Sequence, residues 1–322
     1  MRRTGNSAVK RVFGLFVVLT FFAGVGDALG ADKRRIRWIA SIYMDASGSG
    51  LKHPEGVACG DDYLVVADTG NRRILRYAYA GETVTPGEEF SLPRSYPLKI
   101  QLNSAGDVYF LDGRERRISS ISQAGEERGF LKPRSLPFSS EIVPKSFAID
   151  DEDKIYILDI FSAHVVVLDS EGQYLRRVAF PEKYGFFSDV AVDAQGNIFL
   201  LDGVEAIVYV ARGGAERFSN FSESMRAYVS FPTSLTVDAR GVVYVVDQSG
   251  GGLALVGQDG AFLGRKLGMG WNEIGLYYPA QICVSSSGSL FIADRNNSRV
   301  QRFELGGGAS VAPAEEATQA VE

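Results

Sequence analysis

The sequence predicts an all-β chain, a six-bladed β-propeller closed by a strand from its own N-terminus. Three observations predict it. A short strand ending in Asp recurs as VVADTGNRR, YFLDGRERR, YILDIFSAH, FLLDGVEAI, YVVDQSGGG and FIADRNNSR, and its Asp residues, Asp68, Asp112, Asp159, Asp202, Asp247 and Asp294, follow one another at intervals of 44, 47, 43, 45 and 47. A second short strand precedes each: VAC, IQL, FAIDD, VAVDAQG, LTVDARG and ICVSSSG. Finally, the last unit runs out into Gly306-Gly307-Gly308 one strand short, while Ile36 to Ile42 is a strand-like run with no unit of its own. A period in the forties with several strands per repeat means sheets that bury their faces only against copies of themselves.

The first unit, PEGVACGDDYLVVADTGNRRILRY from Pro54 to Tyr77, shows the local logic. Val57-Ala58-Cys59 stops at the turn Gly60-Asp61-Asp62. Tyr63 to Ala67 is β-branched and aromatic, Asp68-Thr69-Gly70-Asn71 turns the chain, and Arg72 to Tyr77 alternates again. Other units continue into a fourth strand, as at Tyr174 to Ala179 and Ala261-Phe262-Leu263. Ile36 to Ile42 therefore supplies the fourth strand of the last blade, and closing the ring removes its free edges. The links carry Tyr96-Pro97, Pro144, Phe186-Phe187, Phe231-Pro232 and Tyr278-Pro279, read as packing pegs between blades. Three links look long, 81–96, 123–143 and 212–230, the last with room for a short helix at Glu223 to Tyr228.

These residues resemble the NHL repeat family. Pro54-Glu55-Gly56-Val57-Ala58, Val65 to Ile74, Asp193 to Ile198 and Ala293 to Val300 follow its pattern of Pro-x-Gly, then strand-Ala-Asp, then Asn-x-Arg-Ile. The resemblance spans about residues 35–305. It implies a propeller and leaves function open, since such rings host lyases, lactonases and plain binding scaffolds.

The ends are read separately. Arg2, Arg3, Lys10 and Arg11 precede the uncharged run Val12 to Gly26, and Ala28-Leu29-Gly30 offers small residues for cleavage after Gly30. An export signal is expected over 1–30, with an uncleaved membrane anchor as the alternative, so the domain 31–305 is expected in the periplasm or outside the cell. Residues 306–322, rich in Ala, Glu and Gly, are expected to form a disordered tail.

Composition limits the partners. Without residues 1–30 the chain holds 30 basic and 38 acidic residues, a formal charge of −8, which disfavours nucleic acid. Two Cys with no Cys-x-x-Cys exclude haem attachment and a zinc ribbon. Gly-x-Ser-x-Gly, a phosphate loop and His-Glu-x-x-His are absent. His53 and His164, in blades one and three, are too few and too far apart for a nitrogen-rich zinc site of a propeller lyase. Resemblance to the gluconolactonase and regucalcin group implies calcium held by Glu, Asn and Asp at the channel mouth. The entries to the inner strands are Glu55-Gly56, Leu98-Lys99, Lys145-Ser146, Ser188-Asp189, Thr233-Ser234 and Ala280-Gln281. Only Glu55 and Asp189 suit calcium, which wants six to eight oxygens.

No cofactor and no catalytic residue is therefore expected. The preferred reading is a monomeric, non-catalytic scaffold for a protein or an anionic polymer; the alternatives are a calcium-dependent lactonase and a metal-dependent lyase. Asp68, Asp112 and Asp294 are each followed five residues later by Arg73, Arg117 and Arg299, read as braces of the turns. Arg72, Arg114, Arg116 and Arg295 are left over as a basic crescent on blades one, two and six, opposite an apolar sector containing Ile160, Phe161 and Val204, with Phe161 as anchor. Cys59 and Cys283, on inner strands of the first and last blades, are either a disulfide or two buried thiols.

Overall fold

The computed structural model describes residues 35–138, 141–182 and 185–306. The expected signal, Lys183, Tyr184 and the tail from 307 onward lie outside the described residues. The strands form six four-stranded antiparallel sheets arranged as a ring. Blade 1 is β2 (Gly56–Cys59), β3 (Tyr63–Asp68), β4 (Arg73–Ala80) and β5 (Thr83–Ser91). Blade 2 is β6 (Pro97–Leu102), β7 (Val108–Asp112), β8 (Arg117–Ile121) and β9 (Glu127–Phe130). Blade 3 is β10 (Pro144–Ile149), β11 (Ile155–Asp159), β12 (His164–Leu168) and β13 (Tyr174–Ala179). Blade 4 is β14 (Phe187–Val192), β15 (Ile198–Asp202), β16 (Ile207–Ala211) and the two-residue β17 (Ser219–Asn220). Blade 5 is β18 (Pro232–Val237), β19 (Val243–Asp247), β20 (Gly252–Val256) and β21 (Phe262–Lys266).

Blade 6 takes β22 (Ile282–Val284), β23 (Ser289–Asp294) and β24 (Arg299–Leu305) from the end of the chain and β1 (Ile36–Ile42) from its beginning, as the missing strand predicts. β1 runs antiparallel to β24, from Ile36 opposite Leu305 to Ile42 opposite Val300. The ring is thus shut by backbone hydrogen bonds between the two ends.

Middle strands read as unbroken apolar runs because both their faces are buried. In β11, Tyr156 and Leu158 pack into the core shared with blade 4, while Ile155 and Ile157 face blade 2. Six such cores, one per interface, encircle the ring. Full burial of one such side chain contributes about 1.5–3 kcal/mol, so no blade is stable without its neighbours.

Two expectations about the links are corrected. The stretch 81–96 is mostly strand: Gly81 and Glu82 turn directly into β5. Glu223 to Tyr228 forms no helix, only a single turn in which Tyr228 and Val229 donate to Met225 O. Ser222 is already used as a side-chain acceptor for Val208 N, fixing the segment against β16 rather than freeing it to coil.

Candidate functional site: the loop face and the channel mouth

Five of the six recurring Asp residues tie two loops to one face of the ring, while Asp202 accepts from Val204 N and Glu205 N of its own turn. Asp112 Oδ1 accepts from Tyr96 N in the preceding link and from Arg114 N in its own turn. Asp159 does the same with Val143 N and Phe161 N, and Asp247 with Phe231 N and Gly250 N. Asp68 holds Lys52 N and Asp294 holds Tyr277 N. The residue four places on takes left-handed backbone to return the chain to its strand, at Arg72, Arg116, Ala163, Ala206, Gly251 and Ser298. The post-Asp turns and the links into the inner strands therefore share one face.

Two of the three Arg braces form. Arg73 Nε lies 2.7 Å from Asp68 and Arg299 Nε 2.7 Å from Asp294. In both turns an Asn three residues after the Asp, Asn71 or Asn297, donates at 2.8 Å to the same Asp oxygen, Oδ2, that the Arg holds. Asp112 and Arg117 do not pair, which corrects the third brace. Glu115 stands where those Asn residues stand and cannot donate, and Arg117 turns outward over the Phe130 ring, with Glu141 3.9 Å away. Arg73 also reaches Asp45 at 2.5 Å and Glu89 at 2.8 Å. The Ser47 hydroxyl, with Ser49 N–H and Arg73, holds the Asp45 carboxyl down at about 2.

The basic crescent is smaller than expected. Arg72 and Arg114 flank one shallow groove with Ser95 and Tyr96, and Arg116 lies in the next with Lys145 and Ile160. Arg295 is engaged elsewhere: its Nε lies 2.9 Å from Glu55 Oε1. Burial pushes the Glu55 carboxyl up from its ordinary value, against the opposing pull of Arg295 and His53. Phe161 is 69 % exposed. It stands beside the basic groove through its neighbour Ile160, so the apolar sector adjoins the cations instead of opposing them. Trp271, 77 % exposed on the loop before blade 6, is an aromatic that the periodicity did not mark.

The twelve residues at the entries to the inner strands make two rings around the channel mouth. Glu55, Leu98, Lys145, Ser188, Thr233 and Ala280 form the outer ring; Lys99, Ser146, Asp189, Ser234 and Gln281 lie below it with Gly56. All but Gly56 line a cavity of about 260 Å³, together with Phe186, Phe231, Leu111 and Gln248. The floor is cross-linked. Lys99 Nζ pairs with Asp189 and donates to Ser146 Oγ at 2.9 Å and Val190 O at 3.2 Å. Ser146 donates to the same Asp189 oxygen, and Leu235 N donates to the other at 2.9 Å. On the far side Gln281 accepts from Ile100 N at 3.0 Å and returns a bond to Ile100 O at 2.9 Å. Gly56 makes this possible, because a Cβ there would sit 2.3 Å from Leu98 O and 3.2 Å from the Gln281 oxygen.

The donor set does not fit a divalent cation. Glu55 and Asp189 each already hold a cationic side chain, Lys145 adds a further positive charge, and no group of three His, Cys, Asp or Glu among the described residues could hold a metal. His53 and His164 stay apart: His53 adopts left-handed backbone before β2, and His164 Nδ1 meets Ser162 O in its own turn. Of the linking aromatics, Phe187 is a packing peg against Phe180 and Tyr209. Its neighbour Phe186 and the blade 5 residue Phe231 instead face the cavity, a role the reading of all links as pegs missed. Cys59 and Cys283 are joined as a disulfide, with Cα atoms 6.0 Å apart, across the interface of blades 1 and 6.

One family match falls on the stretch comprising the last link, β22, β23 and most of β24. Residues 276–303 match the NHL repeat. The NHL-repeat propeller has no match among curated protein sequences. Its fold is shared with solved structures of low identity. Virginiamycin B lyase from Staphylococcus aureus is 13 % identical with a TM-score of 0.57, over 84 % of this chain and 99 % of that one. A gluconolactonase from Xanthomonas campestris is 16 % identical with a TM-score of 0.62, over 86 % and 93 %. A Bacteroides thetaiotaomicron protein of unknown function is 17 % identical with a TM-score of 0.60, over 84 % and 76 %. At these identities the likeness concerns the fold.

Proposed function

We propose that this NHL-repeat propeller is a non-catalytic scaffold, acting outside the cytoplasm, that presents its loop face to an acidic protein or an anionic polymer. The observation that carries this reading is the set Arg72, Arg114 and Arg116. They lie on adjacent blades, have no carboxylate partner among the described residues, and run up to exposed Ile160 and Phe161. Cations steer an acidic partner, and an apolar anchor beside them supplies dry contact. The test is retention on immobilised poly-glutamate. Replacing the three Arg by Ser lowers the salt needed for elution and flattens the salt dependence, whereas Arg295→Ser, whose charge is already spent on Glu55, changes it little. Unchanged retention of the triple variant ends the proposal.

A second reading, a lactone hydrolase or a lyase, is favoured by the cavity at the channel mouth, with Glu55 and Asp189 in its lining, and by the neighbours described as a gluconolactonase and a virginiamycin B lyase. Turnover of a lactone by the purified protein, lost on Asp189→Asn, would replace the scaffold reading.

A further inference from the structure

We propose that the channel mouth is a binding site for a small carboxylate with a short apolar body, adjoining the outer basic groove at Lys145. Charge accounting within the cavity points to a single anion. Glu55 is balanced by Arg295 and Asp189 by Lys99. Lys145 remains, with no carboxylate partner among the described residues, its ammonium parked 5.5 Å from the centre of the Phe186 ring. The surplus is one positive charge, which repels metal ions and matches a monoanion.

The hydrogen-bonding groups point the same way. Ser234 is only 4 % exposed, yet its Oγ has no partner among the described residues, and neither has the shielded Oγ1 of Thr233. Two adjacent hydroxyls on blade 5 without a protein partner are left to bond whatever enters the cavity, since buried polar groups are ordinarily hydrogen-bonded. Both residues line the cavity. A carboxylate seated between them and Lys145, spanning blades 3 to 5, satisfies all three donors with charge-assisted bonds. Phe186 and Phe231, with ring centroids 6.1 Å apart, give the apolar wall for the rest of the ligand. The cavity of about 260 Å³ is large enough to admit an ion of benzoate's size with water beside it.

The experiment is calorimetric titration of the full-length protein with benzoate and, in parallel, with its neutral isostere benzamide. Benzoate binds at one site and raises the melting temperature, and benzamide binds at least about tenfold more weakly. Lys145→Gln, on an exposed side chain, leaves the fold intact and weakens benzoate about tenfold or more. Ser234→Ala has two effects of opposite sign: it removes an unsatisfied hydroxyl, so the free protein melts no lower, while benzoate affinity falls. Absence of benzoate binding, equal binding of benzamide, or unchanged affinity in Lys145→Gln overturns the proposal. A Ser234→Ala protein that melts lower with affinity intact also overturns it, because the hydroxyl then serves the fold. Lys145 borders both the cavity and the Arg116 groove, but the poly-glutamate assay compares variants of Arg72, Arg114 and Arg116, none of which lines the cavity, so either proposal can fail alone.

Discussion

Replacing Arg299 by Ala tests whether the position five after the Asp is a brace because of its sequence spacing or because of its burial. Arg299 is 2 % exposed and holds four groups: Asp294 at 2.7 Å, the carbonyls of Asn272 and Gly275 at 2.7 Å each, and Tyr43 OH at 3.0 Å. Without it Asp294 keeps Tyr277 N and Asn297 Nδ2 but loses the cation that pairs with it among the described residues while fully buried. Removing one partner of a buried pair costs about 3–5 kcal/mol, which for a ring of this size lowers the melting temperature on the order of 10 °C. Arg117 occupies the same place in its repeat with its side chain 52 % exposed and no bond to Asp112, so Arg117→Ala costs within about 0.5 kcal/mol. Burial already pushes the Asp294 carboxyl up, and loss of Arg299 pushes it further. A carboxyl with a raised folded-state pKa penalises folding once it ionises, so the deficit of Arg299→Ala relative to wild type is largest at neutral pH and shrinks in acid. Urea titrations at neutral and acidic pH, followed by far-UV circular dichroism, measure both variants. Equal losses for the two, or a deficit that grows in acid, would refute the burial argument.

Three further outcomes are expected. Deleting residues 31–44 removes β1 and every ladder bond it gives β24, so size-exclusion and thermal scans should show aggregation and a broadened transition; a deletion that melts like the intact protein refutes closure by β1. Asp45, held down at about 2, contributes stability that is complete above the ordinary carboxylate range and lost as pH falls from about 4 towards 2; Asp45→Asn should flatten the stability–pH curve in that window, and an unchanged slope would contradict the Ser47 and Arg73 contacts. The disulfide closes a span of 224 residues, so replacing both Cys by Ser should cost about 2–4 kcal/mol, with peptide mass spectrometry of the unreduced protein confirming the linkage.

The repeat was legible because its signals are local. Period-2 strands, Gly and Asp turns, and the Asp that gathers two loops all lie within one blade, and even the closing strand follows from counting strands. The site was legible only as positions. The residues at the entries to the inner strands mark who faces the channel, but not that Lys99 crosses the floor to Asp189, nor that Arg295 is drawn to Glu55. Those pairings join blades 2 to 4 and 6 to 1, and no spacing encodes the distance between them. The Asp112–Arg117 pairing failed for a related reason: the spacing was right, but the Asn that completes the brace in the other two turns is Glu115 here. Phe186 and Phe187 look alike in sequence; alternation sends one to the core and the other to the cavity, and which goes where depends on the direction in which the link arrives.

Closure by β1 sets an order on the birth of the molecule. β1 finds its partner only after Arg299 to Leu305 have been made, and Cys59 waits 224 residues for Cys283. Until then blade 1 shows an apolar flank to solvent and Ile36 to Ile42 is an unpaired edge, the kind of segment that chaperones hold and proteases cut. A chain broken off anywhere before its last strand never completes its circle. The ring thereby records that synthesis has passed Leu305, since only then do both halves of the clasp exist.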